Sequence, residues 1–315
     1  MQRSSKVHAL LSTARVANIP SVVVNVWLGI SFGLAFNAKG RISEVPWCAA
    51  GLLALSGILL YVAGNFLNDW MDRNWDAERR PERALPCGLF KPEAYLRVVL
   101  LSAAAGLAMS ACVSLSAAVV SIVILICIVG YTRWHKRNAS AVVLMGMCRA
   151  GLVWLGALGV AGPVESVKWM WIVFFAGWSS IGILCYISGL SLGARLEFVV
   201  SPVEKSLRSP WKLFIFVPVA MIFPFIYIAS LQWMFISGVA PYATWVVFCE
   251  IKRRRGSRRY IPFLLAGIPL VDWVFLLPLG LLCRQWSAEI SVTSLVLPPL
   301  AFVAALLLQR LAPAT

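Results

Sequence analysis

Ten runs of apolar residues, at about 16–36, 45–67, 93–112, 115–132, 139–161, 167–190, 211–230, 233–250, 260–282 and 288–311, leave little of the chain between them. Each is close to the roughly 20 residues a helix needs to cross the bilayer core. In hydrocarbon every backbone N–H and C=O must find its partner within the segment, so such runs fold as helices and tolerate interior Gly and Pro. Composition agrees: 60% of the 315 residues are hydrophobic and 13% are charged, against about 25% charged in soluble domains. The expected fold is an all-α integral membrane protein, one domain over 1–315 built as a bundle of about nine or ten transmembrane helices. The least marked divisions lie within 93–132 and 211–250, where one apolar run is split with no charge between its halves.

A net charge of +15 raises the question of a nucleic-acid partner, and the placement of the cations answers it. Lys and Arg crowd every second connection, with six in 68–97, three in 133–137, four in 195–212 and six in 252–259. The intervening loops hold only Lys39, Arg41, Lys168 and Arg284. This is the positive-inside pattern, with the N-terminus cytoplasmic and the bilayer, not nucleic acid, as partner. The run Lys252 to Arg259 reads as a topology anchor against anionic lipid. Eight scattered Cys, with no C-x-x-C pair or Cys/His cluster, read as apolar filler, and no removable signal peptide is discernible.

Three of the four Asp fall in one stretch, Asn68, Asp69, Asp72 and Asp76 in NDWMDRNWD. On a continued second helix, Asn68, Asp72 and Asp76 are spaced by four and drift about 40° per step, which keeps them on one face. Amide and carboxylate oxygens are hard ligands suited to Mg²⁺, which binds one or two carboxylates and leaves the rest to water and substrate phosphate. Acids at the membrane boundary of an acid-poor chain are costly unless paired or used. The competing reading is a solvated helix end partnered by Arg73, Arg79 and Arg80. Arg79, Arg80 and Arg83 either clamp phosphate oxygens or serve as positive-inside anchors.

The segment NDWMDRNWDAERRPERALPCG, a motif region over 65–92, resembles the first signature of the UbiA superfamily of intramembrane prenyltransferases, N-x-x-x-D-x-x-x-D followed by R-P-L-P-x-G. Arg83, Leu85, Pro86 and Gly88 match its second part, with Ala84 in place of the proline. Arg15 and Asn18 before the first helix, and Tyr131 with Lys136 after the fourth, are further matches, the last pair with one extra residue between them. The resemblance implies a bundle with a cytoplasmic cap that holds an isoprenyl diphosphate through Mg²⁺ on Asn68, Asp69, Asp72 and Asp76. It further implies ionisation of the allylic diphosphate and attack by a membrane-associated acceptor. Asp72, Asp76, Tyr131 and Lys136 are then the catalytic candidates, and Asn18, Arg79, Arg80 and Arg83 contact substrate. Aromatic rings in the cavity are suited to stabilise the cation.

The family's second acidic loop has no counterpart. Over 186–210 the chain offers Tyr186, Ser188, Ser191, Arg195, Glu197 and Glu204 but no Asp. Three readings follow: Glu197 and hydroxyls hold one metal ion, Arg195 replaces a metal beside the diphosphate, or the chain binds its lipid without turnover. Tyr186, Ser188 and Arg195 are accordingly substrate-binding candidates and Glu197 a metal candidate. The pattern Ser191-x-x-x-Arg195-x-Glu197, with MCRAG at 147–151, resembles the divergent, EboC-like branch found with bacterial Ebo clusters, which implies the plasma (inner) membrane of a bacterium. Arg149 in that segment is either a snorkelling anchor or a substrate contact in the cap, and His135 is either a base or, as a lone loop histidine, a solvated residue. A CDP-alcohol phosphatidyltransferase is excluded, because 185–215 lacks every Asp its motif needs.

Overall fold

The computed structural model describes residues 6–37, 45–162, 166–196, 213–219, 232–255, 260–282 and 288–311. Among them there is no strand. A short amphipathic helix α1 (Lys6–Thr13) and a 3-10 turn (Val16–Asn18) lead into α2 (Ile19–Asn37). There follow α3 (Trp47–Arg79), α4 (Pro92–Val113), α5 (Leu115–Trp134), α6 (Val142–Val160) and α7 (Ser166–Leu196). Residues 213–219 form α8, and α9 (Gln232–Arg254), α10 (Tyr260–Ala266), α11 (Ile268–Leu282) and α12 (Ala288–Leu311) complete the bundle.

Eight helices among the described residues are long and apolar enough to cross a membrane. They coincide with eight of the ten expected spans. Of the remaining two, 211–230 lies largely outside the described residues, and 233–250 is helical as α9 but carries Pro241, Tyr242, Thr244 and Trp245 in its middle. The split within 93–132 occurs where expected. Ser114 is extended (φ −164°) and its hydroxyl accepts from the Ala117 amide at 3.1 Å, capping α5 as α4 ends. Ser121 Oγ donates to Ser110 Oγ at 2.8 Å and ties the two helices together.

The centre of the bundle is α2, which packs on α3, α6, α7, α11 and α12. Its approach to α6 is a backbone contact made possible by glycines on both helices. A Cβ on Gly29 would lie 1.8 Å from the Val153 carbonyl, and one on Gly156 2.1 Å from that of Val26. Close approach through small residues is how helices associate where lipid removes the hydrophobic drive. One crossing is interrupted at Gly267, between α10 and α11. Tyr186 donates to the Leu264 carbonyl at 2.7 Å and Trp245 to that of Phe263 at 2.9 Å, so side chains bond carbonyls at the break.

Gly29→Val should destabilise the bundle by about 3 kcal/mol or prevent its accumulation, because the backbone of α6 cannot yield to it. The thermal midpoint in detergent checks this, with Gly51→Ala as the control, since a Cβ there meets nothing.

Candidate active site

Helix α3 is 33 residues long, about 50 Å at 1.5 Å per residue, whereas a hydrocarbon core is about 30 Å thick. Its last turns therefore project beyond the apolar slab and carry the acidic stretch as helix, not loop, up to Arg79. A cavity of about 860 Å³ lies against this extension, and Asn68, Asp72 and Asp76 all line it. Asp72 and Asp76 are 8% and 2% exposed. Carboxylates so buried need partners, and each has one. Lys136 Nζ is 2.9 Å from Asp72 Oδ1, and His135 Nε2 is 3.4 Å from Asp72 Oδ2. Arg83 Nη1 bonds Asp76 Oδ2 at 2.9 Å and reaches Asp69 Oδ1 at 3.3 Å. Asn68 Nδ2 turns towards Asp72 Oδ2 at 3.4 Å.

The loop that returns Arg83 to the helix depends on Gly88, whose φ is +71°. Amides of Cys87, Gly88 and Leu89 bond the carbonyls of Arg83, Leu85 and Ala84, which curls residues 83–89 into a compact turn. Arg15 is the single non-glycine residue with positive φ (49°) among the described residues. Its carbonyl accepts from the Asn18 amide at 2.9 Å and from Tyr61 Oη at 3.4 Å, and its side chain lines the cavity. A left-handed conformation costs a non-glycine residue about 1–2 kcal/mol. Such local strain collects at functional sites.

The expected site residues divide into two groups. Asn18, Asn68, Asp72, Asp76, Arg79, Arg80, Arg83, Tyr131, Lys136 and Arg149 are brought to one cavity from three helices, the 3-10 turn and two connections. Asp69 faces Arg83 and is not among the lining residues. Tyr186 and Ser188 do not reach the cavity either. Ile187, Leu190, Ser191 and Ala194 do, at the i, i+3, i+4, i+7 spacing of one helix face, and residues 186 and 188 lie off that face. The segment 186–196 is thus helix, not the start of a loop. Arg195 is in the last turn of α7, and Glu197 lies outside the described residues. His135 corrects its own reading as a solvated residue. Its side chain is 14% exposed, stacks on Tyr131 with centroids 4.9 Å apart, and meets Asp72. The signal available in the sequence was its place next to Lys136 at the end of α5.

A model of the UbiA prenyltransferase family matches residues 26–268, more than three quarters of the chain. The chain belongs to the UbiA prenyltransferase family. No curated protein matches the sequence significantly. Solved UbiA-type structures share the fold at low identity. A UbiA homolog from Aeropyrum pernix K1 superposes with TM-score 0.63 at 14% identity, covering 79% of this chain and 94% of that one. A digeranylgeranylglyceryl phosphate synthase gives TM-score 0.59 at 17% identity, covering 92% and 99%. A UbiA homolog from Archaeoglobus fulgidus bound to Cd²⁺ gives 0.52 at 16% identity, covering 85% and 98%. Within this UbiA fold, the site is a row of buried carboxylates already neutralised by the chain's own cations.

Replacing Gly88 with Ala should loosen that arrangement by roughly 1–2 kcal/mol, since the added Cβ meets no neighbour but the left-handed backbone disfavours it. Faster proteolysis or hydrogen exchange confined to the segment 80–91 would show it.

Proposed function

We propose that this UbiA-family protein transfers an isoprenyl group from a prenyl diphosphate to a membrane-associated acceptor, with Mg²⁺ as cofactor. The observation that carries the reading is the row Asn68, Asp72 and Asp76 set against Lys136 and Arg83 in the wall of one large cavity. The donors fit the ion, being hard oxygens on one helix face. Among the described residues no three acidic, His or Cys side chains converge as a metal site on their own. Mg²⁺ takes one or two carboxylates and fills its remaining positions with water and phosphate. A homologue of the same fold binds Cd²⁺, another divalent cation. When bound, Mg²⁺ would neutralise charge developing on the leaving diphosphate.

The chain's residues do the rest. Asp72 and Asp76 would hold the metal, and Lys136 and Arg83, which pair with them at 2.9 Å, are the cations placed to bind phosphate oxygens. Asp69 stays with Arg83 and sets its direction. Arg79 and Arg80 at the cavity wall add fixed positive charge to the outgoing diphosphate. Tyr131 lines the same cavity and is the aromatic group suited to stabilise a developing allylic cation there. Ile187 and Leu190 keep water away from it. Glu197 supplies the second acidic position, or Arg195 stands in for a second metal ion. The motif end of the bundle faces the cytoplasm of a bacterial plasma membrane, with the N-terminus on the same side, and the chain is one of the EboC-like members.

A second reading is a prenyl-lipid-binding or transport-assisting protein without turnover. It draws support from the internal pairing of Asp72 and Asp76, and from the lack of any Asp between 185 and 215. Diphosphate release from isoprenyl diphosphates of graded length, by the full chain in nanodiscs with candidate acceptors, separates the two. Mg²⁺-dependent release that falls roughly 100-fold or more in Asp72→Ala, the scale of losing a group that stabilises developing charge, supports transfer. Mg²⁺-dependent lipid binding with no release at any chain length supports the second reading.

A further inference from the structure

Arg149 is the charge that the diphosphate site does not use. It lies in α6, 7% exposed, with its guanidinium carbon 5.1 Å from the centroid of the Tyr61 ring. Tyr61 precedes Asp72 by 11 positions on α3, so it sits about 16 Å deeper along the helix axis. Helical side chains also lean towards the N-terminus, which on α3 carries the Tyr61 ring further from the acidic row. Arg149 therefore stands at the far end of the cavity, out of reach of a diphosphate held on Asp72 and Asp76.

Its position is fixed by α2 and α11. Arg149 Nη1 donates to Ser21 Oγ at 2.9 Å and to Asn25 Oδ1 at 3.1 Å. Asn25 Nδ2 in turn bonds both oxygens of Asp272, at 2.9 and 2.7 Å. Asp272 is fully buried and supplies the counter-charge that makes an arginine tolerable at this depth. These bonds use only Nη1. Arg149 Nε and Nη2, the edge of the guanidinium that binds oxyanions bidentately, have no partner among the described residues and are left to the cavity that Arg149 lines. On the same cavity, and likewise against Tyr61, Asn18 Oδ1 is buried without a hydrogen-bond partner, while its amide nitrogen bonds Tyr61 Oη at 3.1 Å.

We infer that Arg149, held by Asn25 and Asp272, is the recognition group for the acceptor, and that the acceptor carries an oxyanion together with a donor for Asn18. This rests on the reading of the cavity as a prenyl-transfer site and names the class of molecule received at its deep end: a carboxylic acid or phosphate ester small enough to enter beneath the diphosphate. Asn25 and Asp272 are positioning residues. They orient the guanidinium and do not touch the ligand.

The test is binding of benzoate, phenyl phosphate and neutral benzamide to the full chain in nanodiscs, followed by ligand-observed NMR. Benzoate or phenyl phosphate should bind without Mg²⁺, and benzamide should not. Preference between the two anions tells a carboxylate acceptor from a phosphate one. Arg149→Gln should weaken the anion by roughly 10-fold or more, as loss of charged hydrogen bonds does. Affinity for Mg²⁺ and geranyl diphosphate should shift by less than about twofold, since distant sites with no shared partner act independently. If Arg149→Gln does not accumulate, Arg149→Lys keeps the charge without the fork and should still lose anion affinity. Equal binding of benzamide, anion binding indifferent to both substitutions, or loss of geranyl diphosphate affinity in its place overturns the inference. A chain that binds these anions but releases no diphosphate keeps the subsite and refutes transfer, so the two failures are distinguishable.

Discussion

Burying Asp72 and Asp76 at the end of an apolar helix sets the terms for everything around them. An unpaired carboxylate in such surroundings is strongly disfavoured, so cations must be delivered to it from elsewhere in the chain. Lys136 arrives from the end of α5, and Arg83 arrives from the turn that follows α3. That turn needs a left-handed residue at Gly88, and α5 ends at Trp134, just before His135 and Lys136 meet Asp72, so the loop and the helix lengths serve the same charge balance.

The rest of the bundle holds the cavity open behind that row. Gly29 and Gly156 bring α2 and α6 into backbone contact, which places Ser21 and Asn25 beside Arg149. The interruption at Gly267 turns Ile268 to the cavity wall and puts Asp272 one turn deeper, where it meets Asn25. Tyr186 belongs to this framework, since its hydroxyl bonds a carbonyl of the interrupted helix. Its burial has a structural cause that does not involve substrate. Two charged arrangements thus occupy one cavity at different depths, one made of carboxylates paired with Lys136 and Arg83 and the other of an arginine linked through Asn25 to a buried acid.

Much of this was legible in the residues. Runs of apolar residues as long as a bilayer is thick admit only helices, because no water is present to bond a bare backbone. The four-residue spacing of Asn68, Asp72 and Asp76 fixes a common face as soon as the helix continues, and the structure continues it to Arg79. The division near Ser114 was among the least marked, with no charge between its apolar halves, and the extended, capping Ser114 is what makes it. A lone loop histidine carries no periodicity, and only the folded end of α5 brings His135 to Asp72. Tyr186 and Ser188 were singled out as polar residues near a missing motif, and the helical phase of α7 turns both away from the cavity.

By itself, then, the sequence determined the helical class, the acidic face and the basic residues near it in the chain, because period, length and short-range spacing are local properties. The tertiary structure decided which cation pairs with which carboxylate, that Arg149 points into the cavity and not to the interface, and that Asp272 is its counter-charge. Asn25 and Asp272 are 247 positions apart, and no local rule links such residues. Only the packing of α2 against α6 and α11, where a buried charge must find its partner, brings them within hydrogen-bond reach.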